Sequence, residues 1–258
     1  MNGAAHDLKA VAARALACLD LTNLNDDCSE ADVQALCARA MTPHGPTAAV
    51  CIWPRFVPVA KKALAGNGIR IATVVAFPGG DDETSEVLDM TERAVAEGAD
   101  EIDMVIPYKA LMEGHANAVH SAVARVKEAA GRARVKAILE TGVLGDAALI
   151  RQAAELAIEG GADFIKTSTG KVPVNATPEA ARIMLEVIRD SGEMVGFKPA
   201  GGIRTTADAA MYLELCDEIM GPDWASPAVF RIGASSVLEA LIATIEGRDG
   251  GVASAGGY

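Results

Sequence analysis

Eight short apolar runs recur along this chain at intervals of roughly thirty residues, each followed by a stretch of helical periodicity. That alternation constrains the fold more than any other feature. The runs are Cys18–Thr22, Ala48–Trp53, Ile69–Phe77, Glu101–Ile106, Val135–Glu140, Asp163–Lys166, Val195–Lys198 and Phe230–Gly233. Strand-then-helix units of this size pair as a parallel sheet with the helices on its faces. Eight units in 258 residues match the proportion of a (β/α)8 barrel, about one unit per thirty-two residues. Helix starts are legible too: Ser29-Glu30-Ala31-Asp32 has capping-box spacing, and Thr177 precedes Pro178 as a cap before proline at the first helical position. The opening MNGAAHDLKAVAARALACLDL reads as an amphipathic helix added before the first strand, and the Gly-rich RDGGVASAGGY, about 248–258, reads as a flexible tail. Nothing divides the chain, so residues 1–258 are expected to form one TIM-barrel domain.

Composition narrows the function classes. Half the residues are apolar, enough for a large core, yet no run is long enough to span a bilayer. Asp7, Lys9 and Arg14 interrupt the apolar stretch that a secretory signal would need, which points to a cytoplasmic protein. Five cysteines without C-x-x-C spacing argue against a disulfide framework or a structural zinc site. A net charge of −12 argues against nucleic acid and anionic membrane as partners. On so acidic a chain, a local gathering of cations marks a place for a small anion.

In a barrel, chemistry belongs at the C-terminal ends of the strands. The expected ends are Asp20, Cys51, Asp103, Glu140, Lys166, Lys198 and Ser235-Ser236. Lys166 closes the run in GADFIKTSTGK, and Lys198 closes the run in VGFKPAGGIR. Side chains alternate along a strand, so if Glu140 faces the interior, Lys136 does as well. The interior would then hold Lys136, Lys166 and Lys198 against Asp20 and Asp103, with Glu140 a further candidate. Such charges survive burial when they are paired.

A lysine becomes a nucleophile when neutral, and at an ordinary pKa of about 10.4 roughly one in 2,500 is neutral at pH 7. Desolvation and a neighbouring cation lower that value, and a shift to about 7 takes roughly 4–5 kcal/mol. Two lysines on adjacent strand ends have the necessary geometry, and a Schiff base with an aldehyde or ketone is the natural product. The same spacing also suits two lysines that bind phosphate or balance Asp20 and Asp103. Asp103 reads equally as a general base and as an ion-pair partner. Glycine loops after the last three strands (Gly170, Gly201-Gly202, Gly233) together with Ser235 and Ser236 suggest a phosphate cradle, with Lys171 and Arg204 adding charge. The histidines show no metal-site spacing, and Cys51 reads as a small buried residue.

The runs GADFIKTSTGK, GFKPAGGIRT and FRIGASS resemble those of the deoxyribose-phosphate aldolases, which are class I, Schiff-base-forming enzymes. The similarity extends through LDLTNLNDD, TAAVCIWPRFVPVAKKAL, IRIATVVAFP, GADEIDMVIPY and VNATPEAARIMLEVIRD, nearly the whole chain. The resemblance implies reversible cleavage of 2-deoxy-D-ribose 5-phosphate to acetaldehyde and D-glyceraldehyde 3-phosphate, in deoxyribonucleoside catabolism, with no cofactor and no metal. It implies Lys166 as the Schiff-base lysine, Lys198 as the cation that lowers its pKa, and Asp103 as the acid working with Lys198 and a water in proton relay. Asp20 and Lys136 match supporting charges, and the terminal Tyr258 matches a tail tyrosine that assists proton transfer. Gly170, Lys171, Gly201, Gly202, Arg204, Gly233, Ser235 and Ser236 match the phosphate-binding loops. The partners implied are a small phosphorylated sugar, acetaldehyde and further copies of the chain, a dimer being favoured. VVAFPGG and the short SGEMVGF loop depart from the family pattern around intact motif residues.

Overall fold

The computed structural model describes residues 2–248, with side chains from residue 8 onward. Eight parallel strands follow one another around the sheet: β1 (Leu19–Asn23), β2 (Ala49–Ile52), β3 (Arg70–Val75), β4 (Glu101–Val105), β5 (Arg134–Ile138), β6 (Phe164–Lys166), β7 (Gly196–Lys198) and β8 (Ile232–Ala234). β8 pairs with β1, and bridges Phe197–Phe230 and Ala200–Gly233 link β7 to the β8 segment, so the sheet closes on itself. The chain forms a (β/α)8 barrel, as its periodicity predicts.

The outer layer holds α2 (Glu30–Ala40), α3 (Val57–Ala63), α4 (Thr84–Glu97), α5 (Asn117–Ala130), α6 (Ala147–Glu159), α7 (Pro178–Ser191), α8 (Thr206–Met220) and α9 (Val237–Ile245). The helix α1 (Asn2–Ala17) precedes the barrel and packs on α8 and α9. The Arg14 guanidinium fork on Asp217, at 2.8 and 2.7 Å, ties it to α8. Both expected caps are present: Ser29 and Asp32 form a reciprocal capping box, and Thr177 Oγ1 accepts from Ala180 N with Pro178 at the first helical position. A two-residue hairpin, Met41–Thr42 with Gly45–Pro46, is an addition that the strand-helix alternation does not announce. The Gly-rich tail beyond residue 248 and Tyr258 lie outside the described residues.

Two apolar runs are interrupted by a backbone turn at or before their last residue. Ala76 takes a left-handed conformation (φ 52°), which ends β3 at Val75 although the run continues to Phe77. Glu140 does the same (φ 56°), two residues beyond the end of β5. The main core fills the space between strands and helices, with Ile102, Val135, Ile165 and Phe197 buried against the helical stripes. Inside the barrel the apolar filling is small: Leu24, Cys51, Ala72 and Val74, with Trp53 and Phe77 packed on them. Phe164 fills the N-terminal half, where Gly196 leaves room for its ring; a Cβ at Gly196 would lie 2.3 Å from Phe164 Cε1. Charged side chains take much of the remaining interior.

Candidate active site

Lys166 and Lys198 are the last residues of β6 and β7 and stand opposite each other in register. Because strand side chains alternate, both point into the barrel, as do Asp103 on β4 and Lys136 on β5, also opposite each other. Asp20 on β1 completes the expected set. Lys166 is 3 % exposed and the other four are fully buried. Lys166 Nζ and Lys198 Nζ donate to the same oxygen, Asp103 Oδ2, at 2.9 and 2.8 Å. Lys198 also donates to Asp20 Oδ2 (2.5 Å), and Lys136 donates to Asp103 Oδ1 (2.7 Å). The five residues singled out in the sequence therefore form one hydrogen-bonded cluster.

Asp20, Asp103 and Lys136 are not at strand ends. Each sits within its strand, one layer below the mouth, so the cluster extends down the interior. Glu140 departs further from expectation. The alternation stops with β5 at Ile138, and the carboxylate accepts from Thr169 N (3.2 Å) and Thr169 Oγ1 (2.5 Å) in the loop after Lys166. It holds that loop and does not join the cluster. Burial raises its pKa, against the Thr169 hydrogen bonds.

The charges in the cluster respond to one another. Burial presses against the charge of Asp103, yet Lys136, Lys166 and Lys198 together hold its pKa well below the carboxylate range. Asp20 is lowered likewise: burial opposes its charge, and Lys198 and Arg231 prevail. Lys198 is raised, because Asp103 and Asp20 outweigh burial. Lys166 goes the other way. Burial lowers its pKa, Lys198 adds to that, and the contact with Asp103 offsets part of it. Of two neighbouring lysines one is fixed as a cation and the other is pushed toward the neutral amine that attacks carbonyl carbon. Cys51, on β2, has its thiol pushed up by burial and stays protonated.

Above the lysines three loops meet. Thr167 Oγ1 bonds both the carbonyl and the N–H of Ala200 (3.3 and 3.0 Å), and Gly233 N donates to Pro199 O (2.9 Å). Gly201 and Gly202 both have φ of +82°, a conformation that favours glycine. Gly233 permits close approach: a Cβ there would lie 2.9 Å from Ala200 Cβ and 3.1 Å from Lys198 Cε. Ser235 and Ser236, half-buried, lead into α9, whose first turn has no side-chain cap. Gly201, Gly202, Ser235 and Ser236 thus lie past the ends of β7 and β8, whereas Gly233, expected in the loop, is the middle residue of β8 and pairs with Asp20. Gly170 (φ +86°) turns the β6 loop. The Lys171 ammonium is tied to the loop after β1, donating to Leu24 O (2.8 Å) with Asp26 Oδ1 at 3.6 Å. Arg204 is exposed, and its backbone N–H is held by Asp208 Oδ2 (2.9 Å).

Two buried charges escape a reading that looks only at strand ends. Glu101 opens β4, and Arg231 stands just before β8. Their guanidinium–carboxylate fork, 2.7 and 3.0 Å, lies at the N-terminal side of the cluster. The signal was available: Glu101 is two residues before Asp103, and Arg231 two before Gly233, so alternation places each on an inward face.

Residues 14–238 match the model of the DeoC/LacD family of aldolases. The chain is 31 % identical to a candidate deoxyribose-phosphate aldolase from Coccidioides immitis, covering 88 % of this chain and 85 % of that one with a TM-score of 0.76. It is 25 % identical to a candidate deoxyribose-phosphate aldolase from Toxoplasma gondii ME49, covering 95 % and 97 % with a TM-score of 0.87. Against the deoxyribose phosphate aldolase of Aeropyrum pernix, described as a tetramer, identity is 24 % over 92 % and 91 % of the chains, with a TM-score of 0.72; this likeness is one of fold. With an aldolase family model spanning the barrel and a buried lysine at its mouth, the chain belongs to the DeoC/LacD aldolase family.

Proposed function

We propose that this aldolase is a deoxyribose-phosphate aldolase acting through a Schiff base on Lys166. One observation carries the reading: Lys166 and Lys198 share a single oxygen of Asp103, both buried at the C-terminal end of the barrel. Such sharing suits a pair in which one amine is neutral, and neutral amines attack carbonyls.

In this reading Lys166 Nζ adds to C1 of the open-chain 2-deoxyribose 5-phosphate, and loss of water leaves an iminium. A water held by Asp103 and Lys198 takes the C3 hydroxyl proton and passes it to the Asp103 carboxylate. The C2–C3 bond then breaks, with its electron pair moving toward the iminium nitrogen. Glyceraldehyde 3-phosphate departs, leaving an enamine on Lys166. Protonation at C2 and addition of water release acetaldehyde and the free lysine. Asp20 and Lys136 keep Asp103 and Lys198 ionised. The Gly201-Gly202 loop with Ser235 and Ser236 takes the phosphate, aided by Gly170, Lys171 and Arg204. Anchoring the phosphate contributes remotely, by holding the reacting carbons beside Lys166. The enzyme would serve deoxyribonucleoside breakdown in the cytoplasm, as a homo-oligomer with a dimer favoured. Among the described residues all five cysteines are free and buried, as suits a reducing compartment, and no helix is long and apolar enough to cross a membrane. The test is turnover of 2-deoxyribose 5-phosphate followed by release of glyceraldehyde 3-phosphate. Wild-type protein should turn over, whereas Lys166→Ala should bind the sugar phosphate without cleaving it. Retained cleavage in Lys166→Ala would end the assignment.

A further inference from the structure

The charges that hold Lys166 continue beyond Asp103. Lys136 Nζ lies 2.7 Å from Asp103 Oδ1 and 2.6 Å from Glu101 Oε2. Glu101 is forked by Arg231, and Arg231 Nη1 reaches Asp20 Oδ1 at 2.6 Å. Asp20 Oδ2 meets Lys198 Nζ at 2.5 Å, and Lys198 returns to Asp103 at 2.8 Å. The contacts close into a ring in which anion and cation alternate: Asp103, Lys136, Glu101, Arg231, Asp20, Lys198. A further approach of Lys136 to Asp20, 3.7 Å, crosses it. Three carboxylates and three cations balance, and every member is at most 2 % exposed. Lys166 hangs from this ring by one contact, to Asp103, as a seventh group.

A neutral ring has no use for another buried cation. Removing any ring member unbalances it, and Lys166 is the group free to gain or lose a proton in compensation. We propose that Glu101 and Arg231 are positioning residues for the Lys166 amine, acting through the ring from the opposite end of the barrel and without touching substrate. The directions of titration agree: Glu101 is held low by Lys136 and Arg231 against burial, and Arg231 is held high by Asp20 and Glu101. The other groups near Lys166 are Cys51, whose thiol stays protonated, and Glu140, held by Thr169; both are common to every variant below. Arg70, with half of its side chain exposed, approaches Glu101 Oε1 at 3.9 Å from the N-terminal rim.

The two residues should act in opposite directions. Glu101→Gln leaves the ring with a surplus cation, so Lys166 should lose its proton at a pH lower by about one unit or more. Arg231→Gln leaves a surplus anion, so Lys166 should keep its proton to a pH higher by about the same amount. The double variant restores the balance and should return to within about threefold of wild-type reactivity at pH 7. A plug that merely fills the barrel floor would show no such antisymmetry and no rescue.

The inference rests on Lys166 being the reactive amine, so its test avoids the sugar phosphate. Lys166 is reductively methylated with formaldehyde and cyanoborohydride across a pH series, and its labelling is read by peptide mass mapping. Opposite shifts in the single variants with restoration in the double support the proposal; unchanged profiles, or shifts of the same sign, overturn it. If the buried single variants do not fold, Arg70→Glu decides. It sets an anion beside Glu101 at the rim and should raise the labelling pH by about half a unit. No shift there overturns the proposal as well. If wild-type Lys166 labels like an ordinary surface lysine, the reading of Lys166 as nucleophile fails first. A low labelling pH in wild type that no variant moves defeats the ring alone.

Discussion

Lys198→Met isolates the electrostatic claim at the mouth of the barrel. Both lysine nitrogens lie within 3 Å of Asp103 Oδ2, at 2.9 and 2.8 Å, so their charges are less than about 6 Å apart. At an effective dielectric constant of about 20, two unit charges at that separation repel by about 3 kcal/mol, or about two pH units on the titration of either. Methionine keeps an unbranched side chain one atom shorter and removes the charge. Lys166 should then stay protonated to a pH about two units higher, and its neutral fraction at pH 7 should fall about 100-fold. The assay is kcat/KM for 2-deoxyribose 5-phosphate from pH 5 to 10. The acid limb should move up by about two units, so raising the pH recovers much of the rate. The plateau should stay below wild type, since the proton relay is also lost. Removing a buried ion-pair partner costs up to about 3–5 kcal/mol, so folding is checked first by circular dichroism. A folded variant with an unmoved acid limb would refute the argument.

Other perturbations bear on the same framework. Gly233→Ala would press on Ala200 and Lys198, so it should cost about 1–3 kcal/mol in denaturant unfolding and lower turnover more than tenfold; unchanged turnover would mean that Lys198 has room to move. Asp20, Glu101 and Asp103 all titrate below their ordinary values in the folded chain. The unfolded chain therefore binds more protons in acid, and the stability these groups contribute is complete above about pH 4.5 and is lost as pH falls through the folded values. The urea midpoint should fall steeply as pH drops below about 4.5, and a midpoint that holds level there would assign acid sensitivity to other groups. Gly196→Ala sets a methyl against the Phe164 ring, which also faces the Arg231 and Arg134 guanidinium groups, 5.7 and 5.9 Å from its centroid. Loss of about 1–3 kcal/mol is expected from thermal unfolding, and wild-type stability would contradict so tight a floor.

Much of this architecture is legible in the sequence because parallel strands buried on both faces read as plain apolar runs. A lysine ending such a run stands out for the same reason, which is why Lys166 and Lys198 are conspicuous. Depth within the barrel is harder to read. The strands differ in length, from three residues in β6 to six in β3, so an apolar run does not say which of its polar residues sits at the mouth. Asp20 and Asp103 were expected at the ends and lie within their strands. Glu140 misled for a backbone reason: its left-handed conformation breaks the alternation that tied it to Lys136. Glu101 and Arg231 enter from the N-terminal side, where a search for chemistry does not look, and the long Arg231 side chain carries its charge well away from its backbone. The meeting of the three glycine loops is a property of barrel closure, visible once β7 and β8 are side by side.

Reductive trapping tests the central claim most directly. The protein is mixed with 2-deoxyribose 5-phosphate and borohydride, and adducts are located by peptide mass mapping. An ethyl group on Lys166, the size of trapped acetaldehyde, is the predicted result, fixing nucleophile, cleaved bond and reaction class together. Absence of any adduct while the sugar phosphate demonstrably binds, or an adduct on a different lysine, would contradict the account.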